Sequence, residues 1–304
     1  MTLALILLKQ IVIMFLLMII GYFLYKGKKI TMQGNKELGT FLIYIILPAS
    51  ILKSYVTEYT KEKLIGLFVS FAAAILALAL SILLSRLVFG NRQKIEHFGT
   101  AFSNAGFMGI PLVKATIGDE AVFYVAAFVA LLNILQWTYG VVVMSGSREA
   151  ISAKKIITNP VIIALVLGLL LFFTQLPVPI LVMDTLTIVA NMTAPIAMIT
   201  LGVYLAQMKL TELFTEKWVY ISVLLRLIII PLLTLGLLCI FPKEYQDIKL
   251  AVLIAAAAPV GSNVAIFAQL NGLDYRRAVK SVCLSTLCSI VTMPIILGLA
   301  DLIW

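Results

Sequence analysis

Ten long apolar runs limit what this chain can fold into. They lie near residues 3–25, 37–56, 64–89, 97–117, 120–144, 157–175, 184–206, 218–240, 249–270 and 281–303. The hydrocarbon core of a bilayer is about 30 Å thick, and about 20 apolar residues in a helix cross it. A backbone that enters lipid must satisfy its own hydrogen bonds, so runs of this length read as helices rather than strands of a soluble sheet. The expected class is an all-α integral membrane protein with ten transmembrane helices. Composition agrees: 62% of residues are hydrophobic and 12% are charged, where a soluble domain is roughly half apolar and one quarter charged.

The gaps between runs orient the chain. Odd-numbered gaps carry fifteen Lys and Arg residues, even-numbered gaps five, and Lys9, Lys114 and Arg226 fall inside runs. Short basic loops stay on the cytoplasmic side. The odd gaps are therefore expected in the cytoplasm and both termini outside. The net charge of +9 is explained by this bias, with no nucleic-acid partner needed. The first apolar run lacks a preceding basic segment and is read as a span rather than a cleaved signal. Cys239, Cys283 and Cys288 all sit in apolar stretches and suggest neither a disulfide framework nor a metal site.

The polar stretch 145–155, "SGSREAISAKK", divides the runs five and five. The expected organisation is a first repeat at 1–145, a cytoplasmic linker at 146–156 and a second repeat at 157–304. An odd number of spans per half inverts the second half relative to the first. The fourth run contains "SNAGFMGIP" (103–111) and the ninth contains "APVGSNVAIFAQ" (258–269). A segment interrupted by Pro and Gly and bearing Asn thus recurs at the corresponding place in each half. Such a pair points to a transporter binding site. Pro160, Pro231 and Pro294 are read as ordinary membrane-helix prolines.

Proline removes a backbone donor, and freed backbone groups inside a membrane must be buried or line a cavity. The whole string 103–111 is accordingly expected to be an unwound crossing between two half-helices. Half-helix N-termini carry partial positive charge and unpaired N–H donors, which suits an anion. Asn104 and Asn263 can hold a carboxylate or cap the unwound chain. In the fifth run, Gln136 either lines the same cavity or bonds a neighbouring helix. All 14 acidic residues lie in gaps or near run ends. That disfavours cation and proton carriers, which rely on buried carboxylates. Lys9, Lys114 and Arg226 either snorkel to an interface or add positive charge to the site. His97 has no catalytic partner pattern and reads as an interfacial residue, so no enzyme is expected, and no cofactor is called for.

The strings "YIILPASIL" (44–52), "SNAGFMGIPL" (103–112), "APIAMITLGVYLA" (194–206) and "AAAAPVGSNVAIFAQ" (255–269) resemble the auxin efflux carrier family. That family includes plant PIN-type carriers and bacterial relatives named as malate or carboxylate permeases. The resemblance runs over essentially the whole chain. It implies two inverted five-helix repeats with crossed, broken helices four and nine, an architecture like that of bile-acid symporters. It also implies a scaffold of spans one, two, six and seven, an elevator-like motion of the rest, and a homodimer. By motif match, Asn104 and Pro111 come from the first crossing, Pro259 and Asn263 from the second, and Gln136 from span five. The short linker departs from the long hydrophilic loop of many plant carriers and points to a microbial cytoplasmic membrane. The expected function is a secondary carrier of small organic anions, carboxylates above all. The alternative is a Na⁺-coupled organic anion symporter of bile-acid type.

Overall fold

The computed structural model describes residues 3–304, and among these it is helical with no strand. Seven helices are long and apolar enough to cross a bilayer. We number the principal helices α1 (Leu3–Lys26), α2 (Met32–Tyr55), α3 (Lys61–Phe89), α4 (Lys94–Ala101), α5 (105–116), α6 (Glu120–Ser145), α7 (Pro160–Thr174), α8 (Ile180–Ala206), α9 (Lys217–Leu238), α10 (Gln246–Ala257), α11 (Asn263–Leu270) and α12 (Tyr275–Ile303). α7 is a shorter apolar helix. α4–α5 and α10–α11 occupy the fourth and ninth apolar runs, and each pair is separated by a few non-helical residues.

Local chemistry sets the ends. The side chains of Thr31, Thr60, Asn159 and Asp274 accept from first-turn N–H groups of α2, α3, α7 and α12, satisfying donors that have no intrahelical partner. Pro160 takes the first position of α7, where its missing donor costs nothing. α6 stops at Gly146, whose φ of 82° suits a residue without Cβ. The helix ends lie within a few residues of the apolar runs; the largest extension is at α12, which begins at Tyr275 rather than 281.

Large apolar side chains cover the outside, among them Leu87, Ile180, Leu181 and Leu302, all more than two-thirds exposed. A surface of this kind belongs in lipid, and the protein is a multi-pass membrane protein. The tightest helix pair is α1 with α8. A Cβ on Gly21 would collide with the Ile199 carbonyl oxygen, and one on Gly202 would collide with the Met18 carbonyl oxygen and sit 2.9 Å from the Tyr22 nitrogen. Small residues allow this backbone approach where no hydrophobic effect drives helices together.

Four wide π-type turns interrupt otherwise α-helical segments, at 42–46 in α2, 105–109 in α5, 136–140 in α6 and 225–229 in α9. In three of them a proline follows two residues after the turn: Pro48, Pro111 and Pro231. A ring that cannot complete the α-ladder is accommodated by a loosened turn before it. Such turns gather at functional sites, and all four border the region described next.

Candidate functional site

The two broken segments meet backbone to backbone. Ser103 and Val260 form an isolated antiparallel bridge. The Asn104 N–H donates to the Pro259 carbonyl at 2.7 Å, and the Gly261 N–H donates to the Phe102 carbonyl at 3.0 Å. The Ser285 hydroxyl of α12 accepts from the Val260 N–H at 3.0 Å. The non-helical stretches are only 102–104 and 258–262.

This corrects the expectation that 103–111 is unwound throughout. Helix resumes at Ala105, and the glycines serve packing rather than uncoiling. A Cβ on Gly106 would press on Leu47 at 3.3 Å, and Gly109 lies against Ala255. Pro111 is the second residue of the regular stretch that follows the wide turn. It lines a different cavity from the crossover residues.

Arg226 is 1% exposed, which overturns snorkelling as its role. Its two terminal nitrogens donate to the Thr100 carbonyl, at 2.9 Å, and to the Ala256 carbonyl. Thr100 and Ala256 are the penultimate residues of α4 and α10. One guanidinium therefore bridges the carbonyl ends of both half-helices, where the helix dipoles place negative partial charge. The Thr100 hydroxyl pairs with the Ser222 hydroxyl at 2.7 Å, joining α4 to α9 a second time. Lys114 also has partners, Asp119 at 2.9 Å and Asn191 at 2.8 Å.

Past the crossover the chain restarts as α5 and α11, so the N-terminal ends of two half-helices face a common cavity of about 500 Å³. The structure brings Asn104, Gln136 and Asn263 together on its wall. The Asn263 amide nitrogen donates to the Gln136 carbonyl oxygen at 2.8 Å. Pro259 holds Asn104 through its carbonyl but does not line the cavity. Asn104 Nδ2 and Ser103 Oγ are buried without a hydrogen-bond partner among the described residues. A buried, unpaired donor is costly, so either group would gain from a partner that a local side-chain movement brought within reach. Lys36 and Lys155 line the opening, and among the described residues no Asp or Glu lines the cavity. Asn35, Lys36, Ser103 and Lys155 were not named as site residues from the sequence; Asn35, Lys36 and Lys155 fall in polar stretches between apolar runs, and Ser103 stands beside the more conspicuous Asn104.

A second cavity of about 410 Å³ lies beyond the opposite end of α5, with Ser50, Pro111 and Asn191 in its wall. Here Asp119 receives Lys53 at 3.3 Å and Lys114 at 2.9 Å. Partial burial pushes the Asp119 carboxyl up, but the bonds and charges of the two lysines outweigh it and hold the group below its usual range.

Paired discontinuous helices around a cavity edged with amides and lysines, inside an apolar shell, define a membrane transport protein of the crossed-helix class. A family profile described as membrane transport protein matches residues 6–297. The chain belongs to that family, which is the auxin efflux carrier family anticipated from its motifs. It is 26% identical over 273 residues to a protein of Rhizobium meliloti (strain 1021) provisionally named a malonate transporter, covering 84% of each chain. It is 22% identical over 301 residues to an uncharacterized transporter of Methanocaldococcus jannaschii, covering 94% of this chain and 96% of the relative.

Proposed function

We propose that this protein is a secondary carrier of small carboxylates in the cytoplasmic membrane. The observation that carries this reading is the cavity at the crossover. Its wall carries the amide residues Asn104, Gln136 and Asn263, two half-helix N-termini and two lysines, and no carboxylate among the described residues. Such a site attracts an anion. Asn104, Gln136 and Asn263 hold the substrate, Pro259 fixes Asn104 in place, and Pro111 shapes α5 instead of touching the anion. The name of the Rhizobium relative supports a carboxylate of malonate type.

In this reading ten segments cross the membrane. The seven long helices, α7 and the two broken pairs make up that number, in two inverted repeats, 1–145 and 157–304. Both termini lie outside. The opening beside Lys36, Lys155 and Tyr275 then faces the cytoplasm, because these residues border the basic odd-numbered gaps. The second cavity, closed over by Asp119 and its lysines, is the external face. Transport proceeds by an elevator-like displacement of the crossover past the scaffold, in a homodimer.

The test is exchange of radiolabelled malonate in liposomes reconstituted with the full chain. A hydrogen bond to a charged group contributes about 1.5–3 kcal/mol. Asn104→Ala and Asn263→Ala should therefore each weaken half-saturation or exchange by roughly 10–100-fold. Wild-type exchange in both variants would remove the crossover as the binding site.

A further inference from the structure

We infer that Lys155 is the specificity-determining residue that receives the second carboxylate of a dianionic substrate. The inference rests on the anion-site reading above and adds which anions the site prefers.

Lys155 belongs to the linker between the two halves, a stretch that the sequence presents only as a polar spacer. In the structure the end of the linker reaches the cavity, with Lys155 in its wall. Ser152 caps a short helical turn, Ala153–Ile157, by accepting from the Lys155 N–H at 3.4 Å. Asn159 caps α7 immediately afterwards, accepting from Val161 at 2.9 Å. Two caps fewer than ten residues apart fix the path of the chain between them. The Lys155 ammonium lies 5.6 Å from the centroid of the Trp137 ring, a cation–π distance. Trp137 is itself packed on Phe267 of α11 at 5.0 Å and follows Gln136, the partner of Asn263.

The positive charge thus lies against Trp137 in the wall of the same cavity as the crossover amides. Neither Lys155 nor Lys36 forms an ion pair among the described residues, and no acidic side chain lines the cavity. The site has two polar ends. The inner end consists of amides, hydroxyls and helix N-termini, and it takes one carboxylate. The outer end is an ammonium without a counter-ion, and it takes a second. A monocarboxylate of equal length meets only the first. Lys36 lines the same opening but lacks the aromatic platform, so it adds charge without fixing a position.

The experiment uses the full-length protein in detergent. Thermal stabilisation is titrated with malonate and, separately, with monomethyl malonate, which retains the carbon skeleton and lacks one charge. The wild type should reach half-saturation at lower malonate than monoester concentration. Lys155→Gln should raise the malonate value about fivefold, the effect of one partly exposed ion pair, and leave the monoester value unchanged. Lys155→Arg should restore the preference. Lys155 is exposed and its contact with Trp137 contributes only about 0.5–1 kcal/mol, so the ligand-free melting temperature of each variant should stay close to wild type. Equal loss for both ligands, or no loss for malonate, overturns the assignment while leaving the anion site standing. If the wild type responds to neither ligand, both readings fall.

Discussion

Gly261 offers the sharpest single-atom test of the crossover. Its φ lies outside the left-handed region, so alanine can adopt the backbone and only space is at issue. A Cβ there would sit 3.0 Å from the Ser103 carbonyl oxygen and 3.2 Å from that of Phe102. Ordinary contacts begin near 3.4 Å, and both neighbours are backbone, which cannot rotate away. The two crossing strands must part by a few tenths of an ångström. That lengthens the Gly261–Phe102 and Asn104–Pro259 bonds, now 3.0 and 2.7 Å. Overpacking of this kind costs about 1–3 kcal/mol. Because Asn104 moves with its strand, malonate affinity should fall about tenfold or more, a displacement of this order being amplified at a positioned site. Gly109→Ala is the matched control. Its Cβ meets only ordinary contacts, the nearest being Ala255 Cα at 3.5 Å, and should leave both melting temperature and affinity near wild type. The assay is thermal unfolding in detergent with and without malonate. If Gly261→Ala behaves like Gly109→Ala, the crossover is not the rigid, close-packed element described here.

Two further predictions concern the charges around it. Arg226→Lys retains the cation, but one ammonium cannot span the Thr100 and Ala256 carbonyls together. It should lose about 1.5–3 kcal/mol, one charge-assisted bond, read as a lower melting temperature, with unchanged stability as the refuting result. At the opposite cavity, Asp119 has a lowered pKa in the folded protein, so its contribution is complete above its unfolded value of about 3.9 and disappears as pH falls through the folded value beneath that. Asp119→Asn should lower the melting temperature slightly at pH 7, by no more than about 1 kcal/mol since the pair is half-exposed. The difference should close in acid; a gap that persists well below pH 3.9 would show that Asp119 acts by some means other than charge.

The apolar runs made the membrane-spanning helices legible because lipid imposes one length and one polarity on every crossing segment. The two interrupted runs were legible for a related reason: Asn, Gly and Pro together are costly at membrane depth unless the backbone there is used. Where the break falls was harder to read. Pro111 is the conspicuous helix breaker, yet its ring is absorbed by the wide turn at 105–109, while the true discontinuity at 102–104 contains neither proline nor glycine. It is set by pairing with Val260 and Gly261, a contact 157 residues away in sequence for Ser103 and Val260 and invisible to any local pattern. Arg226 failed for a similar reason. A long basic side chain two turns inside a helix reads as snorkelling; its real partners are main-chain carbonyls, which carry no residue identity. Lys155 stood in a basic gap like any other loop lysine until the fold placed Trp137 beneath it.

The notched contact of α1 with α8 limits how the molecule can move. Gly21 receives the Ile199 backbone while Gly202 receives that of Met18 and Tyr22, so each helix is keyed into the other like a tongue in a mortise. Sliding by a single residue, about 1.5 Å, would drive side-chain carbons into main-chain atoms on both sides at once. This joint ties the opening helix of the chain's first half to a helix of its second. The two halves of the sequence are therefore locked together at this joint and cannot shift past each other along it.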